Sequence, residues 1–139
     1  MTEFVSEVKT ILHSNADIYR VLSDMGKLNL VKDRIPSDKI EGFTFNRDSC
    51  LFRVNPIGEV KFDVVERQPN KLVKFKSENL PFDVFLWIQL VSKGEKDTKM
   101  RLIVRADLNS FLKPMISRPM KEALDKIADV LTQLPYDSI

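Results

Sequence analysis

Few residues of this chain carry side chains that could do chemistry, and they form no recognisable constellation. His13, the one histidine, follows a strand-like run with no acid or nucleophile beside it. We interpret it as a surface or loop residue, with general-base catalysis as the weaker alternative. Cys50, the one cysteine, lies in an alternating run and is interpreted as a small buried hydrophobe, with reactivity as a minor alternative. One cysteine excludes an internal disulfide, and with one histidine it makes no zinc cluster. We therefore predict no catalytic residue, no metal site and no cofactor.

The charged side chains favour solvated surfaces over a binding site. Asp63, Glu66 and Glu78 fall on runs that could be neighbouring strands, and their default interpretation is a solvated face. The 22 Lys and Arg residues and the 20 Asp and Glu residues are interspersed and leave a net charge of +2, so there is no electrostatic footprint for nucleic acid. Three lysines form a basic edge on one predicted strand, which more often keeps a strand soluble than binds phosphate. They are Lys71, Lys74 and Lys76.

Length and composition indicate one domain that covers residues 1–139. The chain is 43% hydrophobic and 30% charged, which is typical of a globular domain with its own core. The segment Met1 to Leu12 carries Glu3, Glu7 and Lys9, so it lacks the apolar core of a signal peptide, and no run reaches transmembrane length. We expect no membrane span and a cytoplasmic protein.

The elements that must position these residues follow a simple order. A strand from Glu3 to Leu12 comes first, with Ser6, Val8, Thr10 and Leu12 on one face. Ser14 or Asn15 then begins a short helix, and Asp24 begins a second one that Pro36 ends. Six further strands are predicted, with turn residues between them. They cover Lys39 to Asn46, Ser49 to Val54, Gly58 to Arg67, Lys71 to Glu78, Phe82 to Lys93 and Thr98 to Asn109.

The alternation within the strands predicts which side chains face inward. In the sixth strand, Val84, Leu86 and Ile88 belong to an apolar set, while Phe85 and Trp87 point to the other side. A few polar residues also fall on inward positions, namely Ser6, Thr10, Thr44 and Ser77. The predicted inner set continues onto the last helix. It comprises Phe52, Phe62, Val64, Phe75, Val84, Leu86, Ile88, Leu102, Val104, Met115, Met120 and Leu124.

The C-terminal segment is amphipathic and is interrupted by two prolines. Apolar residues recur at spacings of three and four from Met120 to Leu134, opposite a charged face. Pro114 and Pro119 lack an amide hydrogen, so we expect a short turn over Ser110 to Ile116, then a bend, then a main helix capped by Ser117 that ends before Pro135.

This order of segments resembles the START-related superfamily known as SRPBCC, which includes lipid-transfer domains, plant hormone receptors and polyketide cyclase-like proteins. The stretch Asn15 to Asp24 is similar to the helix that follows the first strand of that superfamily, and Leu112 to Ile116 with Leu134 and Pro135 is similar to its closing helix. The resemblance implies an α+β helix-grip fold. Seven antiparallel strands would form a curved sheet around the long C-terminal helix, with two short helices after strand one and an apolar ligand between sheet and helix.

Three functions fit these patterns. The preferred one is binding or carrying a hydrophobic small molecule such as a lipid, an isoprenoid or an aromatic polyketide-like compound, because the inward sets are almost wholly apolar. A polyketide cyclase or dehydratase-type enzyme would need an acid and a base in the cavity. A co-chaperone-like interaction module would have a filled interior, which close packing makes a serious alternative. Met25, Met115 and Met120 are candidates for an adaptable pocket mouth.

The outward aromatic residues suggest a protein contact. Phe85 and Trp87 lie near Ile103 and either Arg101 or Arg105 on the adjoining strand. An exposed aromatic patch usually has a partner, so we hypothesise a homodimer through this face of the sheet. The alternative is that arginine side chains cover the rings by cation-π contacts.

Overall fold

The computed structural model describes residues 1–34, 40–54 and 58–139. In the described residues, two short strands and two short helices come first, six strands follow, and a long helix comes last. The strands are β1 Thr2–Val5, β2 Lys9–Ile11, β3 Ile40–Phe45, β4 Ser49–Val54, β5 Gly58–Gln68, β6 Leu72–Ser77, β7 Val84–Gly94 and β8 Asp97–Ala106. The helices are α1 Asn15–Leu22, a 3₁₀ segment over Met25–Arg34, and α2 Leu112–Thr132.

The described strands form one antiparallel sheet in the order β1-β8-β7-β6-β5-β4-β3, and β2 also pairs with β8. Short connections join β3 through β8 as a meander because each strand pairs with its neighbour in sequence. The bounds of β3 to β8 agree with those predicted to within a few residues, except at Lys39, which lies outside the described residues. Bulges interrupt β3 between Glu41 and Thr44 and β5 between Val64 and Glu66, and such bulges bend a sheet.

The predicted single first strand is wrong, because a bulge divides it into β1 and β2. Ser6 donates its amide to the carbonyl of Leu102, and Lys9 pairs with Met100, so two residues of the first segment stand opposite one residue of β8. This shift by one position reverses the alternation. Ser6 is buried as expected and Ile11 is fully buried, whereas Val8, Thr10 and Leu12, all predicted to face inward, are exposed.

Both short helices begin at the predicted residues. The Ser14 side chain accepts a hydrogen bond from the Asp17 amide at 3.1 Å and caps α1, whose buried face is Ile18, Val21 and Leu22. The Asp24 carboxylate accepts from the Gly26 amide at 3.2 Å at the start of the 3₁₀ segment. Pro36, the predicted end of this pair, lies outside the described residues.

The bend predicted in the C-terminal segment is wrong, because α2 runs without interruption from Leu112 to Thr132 with Pro119 inside it. Ser117 does not cap a new helix. Its hydroxyl donates to the carbonyl of Lys113, one turn earlier, as serines within helices do. Pro119 has no amide hydrogen and so cannot make its helical hydrogen bond. The helix is continuous nevertheless, because its buried stripe packs against the rest of the fold. That stripe is Ile116, Ala123, Leu124, Ala128 and Leu131.

The start of α2 is capped by a residue that the sequence interpretation did not single out. The Asn109 side-chain oxygen accepts hydrogen bonds from the amides of Phe111 at 3.0 Å and Leu112 at 2.8 Å. These amides have no partner within the helix, so the asparagine supplies the capping interaction that was assigned to Ser117.

The end of the chain is fixed against α1. Arg20 donates to the carbonyls of Tyr136 and Ile139, both at 2.8 Å, and the Tyr136 side chain is fully buried. The Tyr136 hydroxyl donates to the carbonyl of Leu131, and burial raises the pKa of this phenol. No helix within the described residues is long and apolar enough to cross a membrane.

Candidate functional site

The sheet and α2 do not meet everywhere, and an apolar cavity of about 90 Å³ remains between them. The sheet supplies one wall, and the first helices and the C-terminal half of α2 supply the rest. The lining residues are Leu22, Met25, Leu28, Phe43, Phe45, Cys50, Phe52, Phe62, Phe75, Leu86, Ile88, Lys126, Ile127, Val130 and Leu131.

A second apolar cavity of about 60 Å³ lies beside the first. The two share Phe52, Phe62, Leu86 and Ile127, so these four side chains border both spaces. The other residues around the second cavity are Val60, Leu80, Phe82, Val84, Val104, Met120, Ala123 and Leu124.

Strand register explains how the sheet brings this set together. Side chains of alternate residues point to one face, and antiparallel pairing places inward residues of adjacent strands opposite each other. Cys50 pairs with Phe62 between β4 and β5, and Phe75 pairs with Leu86 between β6 and β7. Ile88 pairs with Val73 on the next strand. One face of the middle of the sheet is therefore continuous and apolar.

Four phenylalanine rings form a stacked row along the sheet wall. The ring centroids of Phe43 and Phe45 are 5.3 Å apart, those of Phe43 and Phe52 are 5.4 Å apart, and those of Phe52 and Phe62 are 5.9 Å apart. The interplanar angles are 14°, 30° and 18°. Rings in offset stacks at these distances attract one another beyond their burial. The row gives the cavity an aromatic wall against which a flat ligand could stack.

Two lining residues carry titratable groups. Burial raises the pKa of the Cys50 thiol to about 12, so this group is a neutral thiol at physiological pH and not a nucleophilic thiolate. Lys126 comes from α2 and is half-buried, with a long apolar stem that can line a wall while its ammonium group reaches the edge. Among the described residues around either cavity there is no histidine and no carboxylate. The walls therefore offer no acid and base pair for proton transfer.

The size of the space limits what it could hold. A water molecule needs roughly 10–15 Å³ measured in this way, so 90 Å³ corresponds to roughly six to nine water-sized volumes. Water is a poor occupant because each molecule needs polar partners, and these walls are almost wholly apolar. An aromatic ring or a short acyl chain matches both the size and the chemistry of the larger cavity.

Most of the predicted lining residues lie on the cavities. Phe52, Phe62, Phe75, Leu86 and Ile88 line the larger one, and Phe52, Phe62, Val84, Leu86, Val104, Met120 and Leu124 line the smaller one. Leu102 lines neither. It is fully buried on β8, one of the strands that α2 contacts. Val64 also lies off both cavities, half-buried next to the bulge in β5.

Met115 was predicted to face inward and to lie at a pocket mouth. It is instead 54% exposed on α2, which is one continuous helix through the position of the expected bend. Met25 and Met120, the other two candidates for a mouth, are lining residues. Ser77 is buried as predicted, and its hydroxyl accepts a hydrogen bond from the Val84 amide at 3.1 Å. Thr44 is exposed, beyond the bulge that shifts the register of β3.

Several residues that line the cavities were not among those predicted from the sequence. Phe43 and Phe45 stand two apart on β3 and so share a face, a signal that could have found them. Val130 and Leu131 lie on the apolar side of α2. Leu22 and Leu28 come from the first helices, whose position over the sheet could not be deduced from periodicity.

The other candidate residues lie away from the cavities. The His13 ring makes an edge contact with Tyr136 at a centroid distance of 5.5 Å, and its carbonyl accepts from the Thr98 hydroxyl. Asp63 and Glu78 do come together on the surface, where the hydrogen bond that protonated Asp63 donates to Glu78 raises the pKa of Asp63. Lys61 lies 3.0 Å from Glu78 and lowers the pKa of that carboxyl.

Phe85 and Trp87 point away from the cavities, as predicted, with ring centroids 5.9 Å apart. The Lys74 ammonium lies 4.9 Å from the Phe85 centroid and 5.1 Å from that of Trp87. The Arg105 guanidinium lies 5.6 Å from the Trp87 centroid. Both rings are half-buried under these cations, so cation-π contacts are present, but Arg105 covers only Trp87 and a lysine, not the arginine of the alternative interpretation, covers Phe85.

Comparison with known proteins gives matches at the level of structure only. No protein-family model matches the chain, and no curated protein does. A START superfamily protein from Mycobacterium smegmatis superposes with a TM-score of 0.69 at 14% identity, over 94% of each chain. A protein from Thermus thermophilus superposes with a TM-score of 0.68 at 16% identity, over 95% of each chain.

An enzyme also has this architecture. Norcoclaurine synthase from Thalictrum flavum, in complex with dopamine and hydroxybenzaldehyde, superposes with a TM-score of 0.72 at 16% identity. The match covers 99% of this chain and 89% of the enzyme. At such identities the likeness establishes the fold and does not transfer an activity.

Proposed function

From the START-related SRPBCC helix-grip fold of this chain, we propose that residues 1–139 act as one domain that binds or carries a small hydrophobic molecule between the sheet and α2. One observation carries the proposal. An apolar cavity of about 90 Å³ lies beside another of about 60 Å³ between the two layers of the fold, and both are partly open. Protein interiors are normally close-packed, with few voids larger than a water molecule.

The ligand that fits best is a compact apolar one. The aromatic row of Phe43, Phe45, Phe52 and Phe62 favours a planar ring, and the size favours a single ring system, a short acyl chain or an isoprenoid unit. The norcoclaurine synthase complex, with two small aromatic compounds, is an example of such molecules bound by a protein of this fold. A longer lipid would require the two cavities to join.

The expected affinity is modest. Burying about 300 Å² of apolar ligand surface contributes roughly 7 kcal/mol at about 25 cal/mol per Å². Association costs several kcal/mol of lost freedom, so a dissociation constant in the micromolar range or weaker is expected. Exchange would then be fast enough for a carrier that loads and releases its cargo.

The enzyme alternative has less support in the described cavity walls. Cys50 is held neutral by burial, and the described residues that line the two cavities include no histidine and no carboxylate. A cyclase or dehydratase needs a positioned acid and a positioned base. The structural similarity to norcoclaurine synthase is the reason to test the enzyme alternative. The test is whether the protein turns over a candidate substrate and whether a substitution of Lys126 abolishes that turnover.

The interaction-module alternative required a filled interior and an uncovered Trp87. The cavities and the cations over Phe85 and Trp87 both weigh against it. The homodimer through this face stays a prediction, although a symmetric contact would bring Lys74 and Arg105 close to their own copies. The cytoplasmic location also stays a prediction.

The proposed function is tested by measuring the ligand bound to the parent protein and to a variant in which the cavity is filled. We expect native mass spectrometry of protein purified without added ligand to detect a bound apolar compound or, after extraction, uptake of small aromatic compounds. Ile127 borders both cavities, so Ile127→Trp should fill the space and reduce binding at least tenfold. The matched control is Ile103→Trp, on the opposite face of the sheet where Trp87 pairs with Ile103, and it should bind normally. Equal binding by both variants, or no binding by the parent protein, would refute the proposal.

A further inference from the structure

The start of α2 exposes apolar side chains that the core does not use. Phe111, immediately before the helix, is 74% exposed, and Met115 is 54% exposed. Residues four apart lie on the same side of a helix, so the two side chains form one small protruding patch. Neither lines a cavity among the described residues. Contiguous exposed apolar side chains mark protein or membrane interaction sites.

The same segment is positively charged. From Ser110 to Lys121 the chain contains Lys113, Arg118 and Lys121 and no acidic residue. Arg118 pairs with Glu122 at 3.2 Å and Lys121 with Asp125 at 3.3 Å, so acids appear only from the second half of the helix onward. Lys113 has no acidic residue within one helical turn of it in sequence. The positive end of the helix dipole, which no acidic residue in the first turn offsets, adds to this potential.

We propose that the start of α2 docks on an anionic lipid surface, with Phe111 and Met115 inserted among the acyl chains and Lys113 and Arg118 at the headgroups. Apolar side chains flanked by cations on one helix end are the pattern of interfacial attachment. The charge complementarity selects anionic lipids, because each cation near such a surface adds to the attraction. A second copy of the chain would bring like charges together.

This surface lies beside the smaller cavity. Met120 lines that cavity, and at a rise of 1.5 Å per residue it is about 7.5 Å along the helix from Met115. An apolar ligand could therefore pass from the bilayer to the cavity with a short exposure to water. This link to ligand entry rests on the proposed function, whereas the docking itself does not.

The test is sedimentation with vesicles of phosphatidylcholine alone and of phosphatidylcholine with roughly one-third phosphatidylglycerol. We expect at least tenfold stronger partitioning into the anionic vesicles, weakened by salt. Lys113→Gln should reduce partitioning about fivefold, and Phe111→Ser with Met115→Ser should reduce it further. The control is Leu30→Ser, because Leu30 is 76% exposed on the 3₁₀ segment and should not matter.

Several results would overturn the docking proposal. The first is equal partitioning into neutral and anionic vesicles. The second is a loss of partitioning in Leu30→Ser as large as that in Phe111→Ser with Met115→Ser. The third is a dimer, detected by light scattering, that Phe111→Ser abolishes. Binding of soluble polyglutamate as tightly as anionic vesicles would also overturn it, in favour of an acidic protein partner. If the parent protein takes up ligand but does not bind anionic vesicles, docking alone is rejected. If the parent protein binds anionic vesicles but takes up no ligand, only the proposed function is rejected.

Discussion

Substituting leucine for two alanines of α2 should change stability in opposite directions, because only one of them faces unfilled space. Ala123 lines the smaller cavity, whereas Ala128 is fully buried and lines neither cavity. Alanine and leucine both favour helices, so the backbone contribution is small. The Ala123→Leu side chain adds three carbon atoms to a cavity of about 60 Å³, which corresponds to roughly four to six water-sized volumes.

The magnitude follows from burial and side-chain entropy. Three carbon atoms at about 0.8 kcal/mol each contribute roughly 2.4 kcal/mol, and ordering the leucine costs ~0.5–1 kcal/mol. We therefore expect Ala123→Leu to raise the free energy of unfolding by about 1.5 kcal/mol, which raises Tm by roughly 5 °C. Ala128→Leu has no space to occupy and should lower the free energy of unfolding by about 1–3 kcal/mol.

Urea denaturation followed by circular dichroism measures both changes, and uptake of a small aromatic ligand gives the second readout. The Ala123→Leu protein should be more stable and bind more weakly, a combination that simple damage to the fold cannot produce. If Ala123→Leu destabilises as much as Ala128→Leu, the interior is already filled at this point and the cavity argument is refuted.

Four further predictions concern single residues. Because burial raises the pKa of Cys50 from 9.0 to about 12, the unfolded chain loses this proton first as pH rises, so its contribution to stability is intact below pH 9 and is lost toward pH 12. Between pH 7 and pH 11 the free energy of unfolding should therefore fall by about 2–3 kcal/mol less in Cys50→Ala than in the parent protein, as measured by denaturation at both pH values. An equal fall in the two proteins would contradict this prediction. Ser6→Ala leaves the buried amide of Leu102 without its side-chain acceptor and should cost about 1–3 kcal/mol by urea denaturation. Asn109→Ala removes the helix cap and should cost about 1 kcal/mol, whereas Asn109→Asp should keep most of it. Pro119→Ala restores an amide inside α2 and should stabilise by up to about 3 kcal/mol, so a loss of stability would mean that packing requires the proline.

The order of elements and most inward faces were predictable because they depend on local alternation. The register of β7 shows this, since Leu86 and Ile88 point to the cavity while Phe85 and Trp87 point away. The predicted bounds of β4, Ser49 to Val54, match the structure because turn residues flank it. The helix-grip fold could therefore be inferred from the sequence.

What failed depends on contacts between distant segments. The bulge after Ser6 is defined only by pairing with β8, so the sequence alone suggested one strand and placed Thr10 inward. Pro119 was taken to break a helix that tertiary packing holds together. Whether an inward residue meets a cavity or another side chain depends on the position of α2, which is why Leu102 and Ile88 differ although both are inward.

A crystal structure of the ligand-free protein under xenon pressure would examine the internal space most directly. Xenon enters dry apolar cavities and scatters strongly. We expect xenon density between α2 and the central strands, bordered by Phe62, Leu86 and Ile127. Side chains that fill this volume, or a helix that lies elsewhere and leaves no enclosed space, would contradict a cavity-based function.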